Sequence, residues 1–155
     1  MEGPFISPKK VGAQNPEYVQ GADAGMFRRL QKRAGGLIKL VDVAPEEPGN
    51  LDFIRECHNE VRISIAHTCT DYDTAVQAFE AGATHMTHLY NAMPGITHRA
   101  PAPSCGTGAR RRGGAHHRQR AHPPGHGAVH LQHLGADHVC LIARQHWIGL
   151  RPAGR

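Results

Sequence analysis

The chain has 155 residues, which is enough for one domain with a hydrophobic core. Its charges are divided unevenly: residues 1–100 carry ten Lys and Arg against twelve Asp and Glu, whereas residues 101–155 carry eight Arg against one acid, Asp137. No apolar run approaches the roughly 18–20 residues of a membrane span, and the four cysteines show neither CxxC pairing nor a preceding secretory signal. We therefore expect a reduced, cytoplasmic protein without a membrane partner.

Helix and strand signals alternate along residues 1–100. Residues 6–15 have Pro, Gly and Asn without periodicity and are predicted to form a loop. The predicted helices span residues 16–34, 51–60 and 72–81, and the predicted strands span residues 37–45, 61–67, 83–90 and 135–143. The apolar side of the first helix would consist of Tyr18, Met26, Phe27 and Leu30. The end signals are Gly35 and Gly36 after the first helix, Asn50 and Asp71 as N-caps of the next two, and Gly82 after the third.

The order of these elements predicts right-handed βαβ units and therefore an α/β fold with a parallel sheet. In α/β barrels, ligands lie at the carboxyl ends of the strands. His67 directly follows one predicted strand and His88 lies near the end of the next, while Glu2 opens a loop that could reach them. Two histidines and a carboxylate are a common ligand set for a Zn-type ion that keeps one position open for water. A histidine at a strand end can equally be a packing residue, as we expect for His85.

Residues 101–133 break the pattern. They contain no Asp, Glu, Lys, Asn, Ile, Phe, Tyr, Trp or Met, and they hold six of the thirteen histidines together with five Arg and four Pro. Such a composition cannot bury enough apolar surface to offset the entropy of ordering, so we expect a disordered basic segment. Residues 144–155 have a similar bias.

Four segments of the chain resemble N-acetylglucosamine-6-phosphate deacetylase, a family of the amidohydrolase superfamily. They lie at residues 2–18, 43–49, 65–101 and 134–142, and they include EGPF with GAQN, AHT and THLYNAMPG in the family's order and approximate spacing. The resemblance implies a partial (β/α)8 TIM-barrel-type metal-dependent hydrolase with a disordered basic segment. The implied reaction removes acetate from N-acetylglucosamine 6-phosphate and gives glucosamine 6-phosphate, a step of amino-sugar catabolism.

The resemblance also implies roles for individual residues. Glu2, His67 and His88 would be the ligands of one divalent metal ion, which we expect to be zinc. The residues expected to contact the substrate are Ala13, Gln14, Asn91, Ala92 and Arg99. Of these, Asn91 and Ala92 would hold the sugar phosphate, and the planar guanidinium of Arg99 suits phosphate oxygens. An interpretation of Asn91 as a turn residue before Pro94 stays open. The implied partners are the amino-sugar phosphate and, as in the family, a second copy of the chain.

In the family the ion polarises the acetamide carbonyl, and an aspartate on a later strand transfers the proton of the attacking water to the leaving amine. That aspartate should come directly after residues 135–143, yet Arg144 follows there and no carboxylate occurs after Asp137. Arg144 cannot be the base because its guanidinium stays protonated. We therefore expect no catalytic residue and an inactive fragment.

The expected domain organisation follows from these departures. Residues 1–100 would be a partial deacetylase barrel, the metal-binding half, and residues 134–143 an isolated barrel strand. Residues 101–133 and 144–155 would be translated out of frame in a high-GC gene. Since a closed barrel needs on the order of 250 residues, the homodimer of the family is in doubt for this chain.

Three alternatives stay open. Arg110, Arg111, Arg112, Arg118 and Arg120 could contact nucleic acid nonspecifically, although neither aromatic side chains nor a recognition helix accompany them. A His-rich segment could sequester metal ions through His116, His117, His122, His126, His130 and His133. The chain could also bind metal and sugar phosphate without any turnover.

Overall fold

The computed structural model describes residues 1–105 together with the backbone of residues 118–121 and 139–141. Its helices are a 3-10 helix at Pro16–Tyr18, α1 at Ala24–Arg33, α2 at Asn50–Cys57 and α3 at Tyr72–Ala81. Its strands are β1 at Leu40–Val43, β2 at Arg62–Ile65, β3 at His85–Leu89, β4 at Arg118–Ala121 and β5 at Val139–Leu141. In the part of the chain that the structure describes, no helix is long and apolar enough to cross a membrane.

The five strands form one parallel sheet in the order β1-β2-β3-β4-β5. Strand neighbours in space are therefore also neighbours along the chain, as expected when each strand is followed by a crossover connection. The predicted α/β fold with a parallel sheet is confirmed. Parallel pairing brings the carboxyl ends of β1, β2 and β3 to the same edge of the sheet.

One face of the sheet is apolar and packs against the helices. Alternate strand residues on this face are buried with helix residues in a single cluster, which includes Val41, Val43, Ile63, Ile65, Met86, Phe27, Phe53 and Phe79. The ring of Phe53 lies 5.2 Å from that of Phe5 and 6.1 Å from that of Phe27, measured between centroids. Burial of each such side chain contributes about 1.5–3 kcal/mol, so this cluster is the main source of stability.

The opposite face carries a row of buried polar residues: Asp42 on β1, Ser64 on β2 and Thr87 on β3. The hydroxyl oxygens of Ser64 and Thr87 are 2.8 Å apart. Burial raises the pKa of Asp42 above its ordinary value, although a hydrogen bond with Thr87 acts in the other direction. Among the described residues, Oδ1 of Asp42 has no hydrogen-bond partner.

The helix ends confirm some of the sequence signals. Gly35 and Gly36 have φ of 59° and 77° directly after Ala34, the C-cap of α1, and Gly82 follows α3 with φ of 124°. These left-handed values favour glycine because it lacks a Cβ. The side chain of Asp71 accepts a hydrogen bond from the Thr74 N–H, so the predicted N-cap of α3 is confirmed.

Two predictions about the helices were wrong. The continuous helix over 16–34 is interrupted, because a new helix begins after Asp23, whose side chain caps the Gly25 N–H. Tyr18 therefore belongs to the separate 3-10 helix and is 72% exposed instead of facing the core. Asn50 is not an N-cap either: it is the first residue of α2, and its buried amide accepts from the Ala22 N–H and donates to backbone oxygens of other loops.

The expected disorder of residues 101–133 does not hold throughout, since the backbone of Arg118–Ala121 forms β4 between β3 and β5. Strand pairing uses backbone groups, so a segment without β-branched residues can still extend a sheet. The strand expected at 134–143 is represented by Val139–Leu141, which pairs with β4. Beyond Cys105, the remaining residues of both ranges and residues 144–155 lie outside the described residues. The same is true of the side chains of the arginines considered for nucleic-acid binding and of the histidines considered for metal sequestration between residues 110 and 133.

Candidate metal centre

The segment Met1–Ser7 runs beside β1 and brings Glu2 to the end of the sheet. The amino group of Met1 donates to the Leu40 carbonyl at 2.6 Å, and the Asp42 N–H donates to the Met1 carbonyl at 2.9 Å. Further along, the Ala44 N–H donates to the Phe5 carbonyl at 2.9 Å. These main-chain bonds hold Glu2 beside the strand end, with its side chain about one-third exposed.

His67 follows β2 after one residue and is almost completely buried, at 4% exposure. Its backbone is left-handed, with φ of 46°. The Nδ1 atom lies 2.7 Å from the Lys10 carbonyl oxygen, which can only accept, so Nδ1 carries the proton and donates. The other ring nitrogen, Nε2, then has a lone pair available for a metal ion when the ring is neutral.

His88 lies at the end of β3, where the pairing with β4 shifts register between Thr87 and Leu89. Its φ of 55° is again left-handed, and the Asn91 N–H donates to its carbonyl at 2.8 Å in the turn that follows. The ring stands perpendicular to that of His67, with centroids 4.9 Å apart. The turn thus directs the imidazole of His88 toward that of His67.

The three side chains converge on one point. Oε1 of Glu2 lies 3.2 Å from Nε2 of His67 and 3.3 Å from Nε2 of His88, and one ligand atom from each residue falls within 4.8 Å of the others. Ligands bound tetrahedrally at about 2.0–2.1 Å from a zinc ion stand about 3.3–3.4 Å apart. The spacing and the donor types therefore fit a divalent metal ion of the Zn class.

The electrostatics of Glu2 favour its charged form. Burial alone would raise the pKa of its carboxyl, but in the metal-free protein the hydrogen bonds and charges that His88 and then His67 supply when protonated outweigh that effect and lower the pKa below its ordinary value. A carboxylate that remains ionised at neutral pH is available as a metal ligand without first losing a proton.

An open pocket of about 350 Å³ adjoins this cluster. Besides the three clustered residues, its lining includes the predicted substrate residues Ala13, Asn91 and Ala92. Lys9 and Lys10 line it as well, and sequence reasoning missed them. The signal was available, since two adjacent cations precede the GAQN segment of the resemblance.

Two predicted substrate residues lie elsewhere in the described structure. Gln14 lines a separate pocket of about 440 Å³ with Gly3 and Tyr18. Arg99 is exposed, and its Nε donates to Nε2 of His98 at 3.0 Å. Neither lines the pocket beside His67, so their roles stay predictions.

The parallel sheet and its helices define an α/β protein. The carboxylate and two imidazoles at its strand ends form a site that could hold a divalent metal ion. No protein-family model matches the chain. Among curated proteins, the N-acetylglucosamine-6-phosphate deacetylase of Bacillus subtilis (strain 168) is 48% identical over 102 residues, covering 65% of this chain and 26% of that protein. The N-acetylgalactosamine-6-phosphate deacetylase of Escherichia coli O157:H7 is 32% identical over 102 residues, covering 65% and 27%.

Solved structures give the same result. N-acetyl-D-glucosamine-6-phosphate deacetylase from Mycobacterium smegmatis matches with a TM-score of 0.81 at 30% identity, covering 91% of this chain and 38% of that one. A mutant of that enzyme in complex with N-acetyl-D-glucosamine-6-phosphate matches with a TM-score of 0.79 at 28% identity, covering 90% and 38%. The resemblance to N-acetylglucosamine-6-phosphate deacetylases is therefore confirmed, and the chain spans about a quarter of the length of the curated relatives it matches.

Proposed function

We propose that this chain is the metal-binding part of an N-acetylglucosamine-6-phosphate deacetylase, a hydrolase that removes acetate from its amino-sugar phosphate substrate. The observation that carries the proposal is the convergence of Glu2, His67 and His88 at the strand ends. The names of the similar proteins supply the substrate class, and a metabolic sugar phosphate fits a cytoplasmic location.

The sheet is proposed to be one part of a (β/α)8 barrel. Its strands are parallel and follow chain order, and all three helices pack on the same apolar face. A barrel places its helices outside and its inward-facing residues in layers, so the buried row of Asp42, Ser64 and Thr87 would face the interior. The metal ligands would then stand at the carboxyl-terminal face of the barrel.

The residues of the pocket have distinct proposed roles. Glu2, His67 and His88 would hold the ion, which when bound would polarise the acetamide carbonyl and lower the pKa of a water molecule. Lys9 and Lys10 give the pocket a positive rim that suits a phosphate, and Asn91 and Ala92, which line the same pocket, would contact it as well. The ion would occupy the ligand atoms of Glu2, His67 and His88, and the other four residues have neither a carboxylate nor an imidazole that could take the proton of the attacking water.

We propose that the chain binds metal and sugar phosphate without turning the substrate over. Amide hydrolysis needs a base that takes a proton from water and returns it to the departing amine. The sequence contains no carboxylate after Asp137, so the base expected after the strand at 135–143 is missing. The sequence therefore has the proposed metal ligands, whereas the proposed base is missing.

The proposal can be tested with the purified chain and one equivalent of zinc. We expect tight zinc binding that a His67→Ala variant abolishes, binding of N-acetylglucosamine 6-phosphate, and no release of acetate. N-acetylgalactosamine 6-phosphate serves as the second sugar, because one relative carries that name. Absence of a His67-dependent zinc site would contradict the metal centre, and acetate release at enzymatic rates would contradict the missing base.

We also propose that residues 101–133 and 144–155 arise from out-of-frame translation. The family-like sequence resumes at Leu134 after a stretch without Asp, Glu, Lys or Asn. Reading the coding DNA in the other two frames should recover deacetylase-like residues across 101–133. If neither frame does so, the proposal is wrong.

A further inference from the structure

The backbone of His67 needs support from its surroundings. A φ of 46° lies in the left-handed region, and a residue with a Cβ held there costs on the order of 1–3 kcal/mol unless neighbouring groups hold it. The ring reaches Oε1 of Glu2 from this conformation. Relaxation of the turn toward an ordinary extended backbone would carry the imidazole away from the carboxylate.

Main-chain bonds hold the turn at two points. The Ser7 N–H donates to the carbonyl of His67 at 2.9 Å, and the Thr68 N–H donates to the Ala92 carbonyl at 2.9 Å. They connect the turn to the N-terminal segment and to the loop after β3. Neither bond restrains the chain beyond Thr68, where it must turn back toward α3.

A single carboxylate, that of Glu46, binds the chain segment that leaves the turn toward α3. Glu46 lies on the loop after β1, and one of its oxygens accepts from the Thr68 hydroxyl while the other accepts from the Cys69 N–H. The Thr68 hydroxyl oxygen in turn accepts from the Thr70 N–H at 3.0 Å. Hydrogen bonds to a charged acceptor are about twice as strong as those between neutral groups. Thr68 and Cys69 are thus bonded directly to Glu46, and Thr70 is connected to it through the Thr68 hydroxyl.

We propose that Glu46 is a positioning residue for the metal centre, keeping the left-handed turn of His67 closed so that Nε2 stays beside Glu2. The inference rests on the metal centre of the proposed function and extends it to a residue that does not touch the ion. Glu46 is only partly buried and lies outside the apolar cluster, so its loss leaves the helix-facing core unchanged.

The test is a Co²⁺ titration of the full chain followed by visible absorption, which reports the coordination geometry. The signal of interest is the part that His67→Ala abolishes, because this excludes binding by other histidines. We expect Glu46→Ala to raise the Kd about 10–100-fold, the usual effect of losing a group that orients a ligand. Glu46→Gln should recover part of the affinity, since its amide oxygen can still accept from the Cys69 N–H. The matched control is Glu80→Ala, an exposed carboxylate on α3, which should bind as the parent does.

Thr68→Val tests the same hydrogen bond by removing its donor instead of its acceptor. It removes the hydroxyl without changing the shape of the side chain. It should weaken Co²⁺ binding in the same direction but less, and it decides the matter if circular dichroism shows that Glu46→Ala is unfolded. Parental affinity in both variants would overturn the positioning role while leaving the metal centre intact. A parent chain without any His67-dependent Co²⁺ site would instead overturn the proposed function, and this inference with it.

Discussion

The helix-facing side of the sheet and its strand ends are stabilised in different ways. On the helix-facing side the backbone is regular, and apolar side chains such as Val41, Ile63 and Phe53 pack in one buried cluster. At the strand ends two histidines adopt left-handed backbones, and polar contacts from separate segments hold them. The first region supplies the free energy of folding, and the second uses part of it to keep a strained arrangement in place.

The largest effect should follow from damage to the helix-facing side. Phe53→Ala removes a ring that is 3% exposed and packs against Phe5 and Phe27, so we expect a loss of about 3–5 kcal/mol in the free energy of unfolding. Urea unfolding followed by circular dichroism measures it. Leu37→Ala, at a side chain 77% exposed, is the control and should change stability by less than about 0.5 kcal/mol. Equal losses in the two variants would contradict the assignment of stability to this cluster.

Damage to the strand ends should instead weaken metal binding and leave the free energy of unfolding nearly unchanged. Glu2→Gln removes the charge of one proposed ligand, and we expect zinc affinity to fall by about 100-fold or more while the metal-free protein unfolds at nearly the parental urea concentration. Calorimetric zinc titration and urea unfolding together separate the two effects. A variant that loses stability without losing zinc affinity would show that Glu2 is a structural residue.

These two regions also differ in how far the sequence predicts them. Alternating apolar residues and the signals at Gly35, Asp71 and Gly82 were sufficient for the parallel sheet and for the ends of two helices. The break in the first helix was predictable too, since Gly21 and Asp23 form a stop and a cap that the apolar pattern obscured. β4 was not predictable, because its residues carry no strand signal and its position depends on pairing with β3.

At the site, the structure brings His67 and His88 together with Glu2. The strand-end rule names both histidines only as candidates and leaves a packing role open, and the resemblance is what favours them as ligands. That rule could not identify Glu46, because the path of a loop between neighbouring strands leaves no periodic pattern in the sequence. Lys9 and Lys10 were visible as two adjacent cations before the GAQN segment, but their place beside the pocket depends on how the N-terminal segment folds over β1. Contacts between distant loops are therefore the part of this site that needs a structure.

The polar face of the sheet gives a smaller, pH-dependent effect. Burial raises the pKa of Asp42 above 3.8, so the folded state holds the proton more tightly than the unfolded state does. The resulting stability is fully present below the ordinary pKa and is lost as the pH rises through the raised value. Asp42→Asn has no carboxyl to ionise at this position, so it should not lose this stability as the pH rises. The metal-free variant should therefore be more stable than the parent at neutral pH by on the order of 1–3 kcal/mol. Urea unfolding of both proteins from acidic to neutral pH measures the difference, which should shrink toward acidic pH. A variant less stable than the parent at neutral pH would mean that the charged carboxylate stabilises the sheet.

The smallest effect concerns the thiols of the two regions and needs no substitution. Cys57 lies in the helix-facing cluster, and burial together with the charge of Glu60 raises its pKa to about 11. Cys69 follows the turn of His67 and is half-buried, and Cys105 is exposed. Because only the thiolate reacts, the shift of the Cys57 pKa from 9.0 to about 11 matters for labelling. Near neutral pH, Cys57 has about 100-fold less thiolate than a cysteine with the ordinary pKa. Iodoacetamide labelling followed by peptide mass spectrometry should therefore modify Cys105 first and Cys57 last among the three cysteines whose burial the structure describes, and denaturing urea should remove the difference. Rapid labelling of Cys57 in the native protein would show that the helix-facing cluster opens readily, and stability could then no longer be assigned to that side of the sheet.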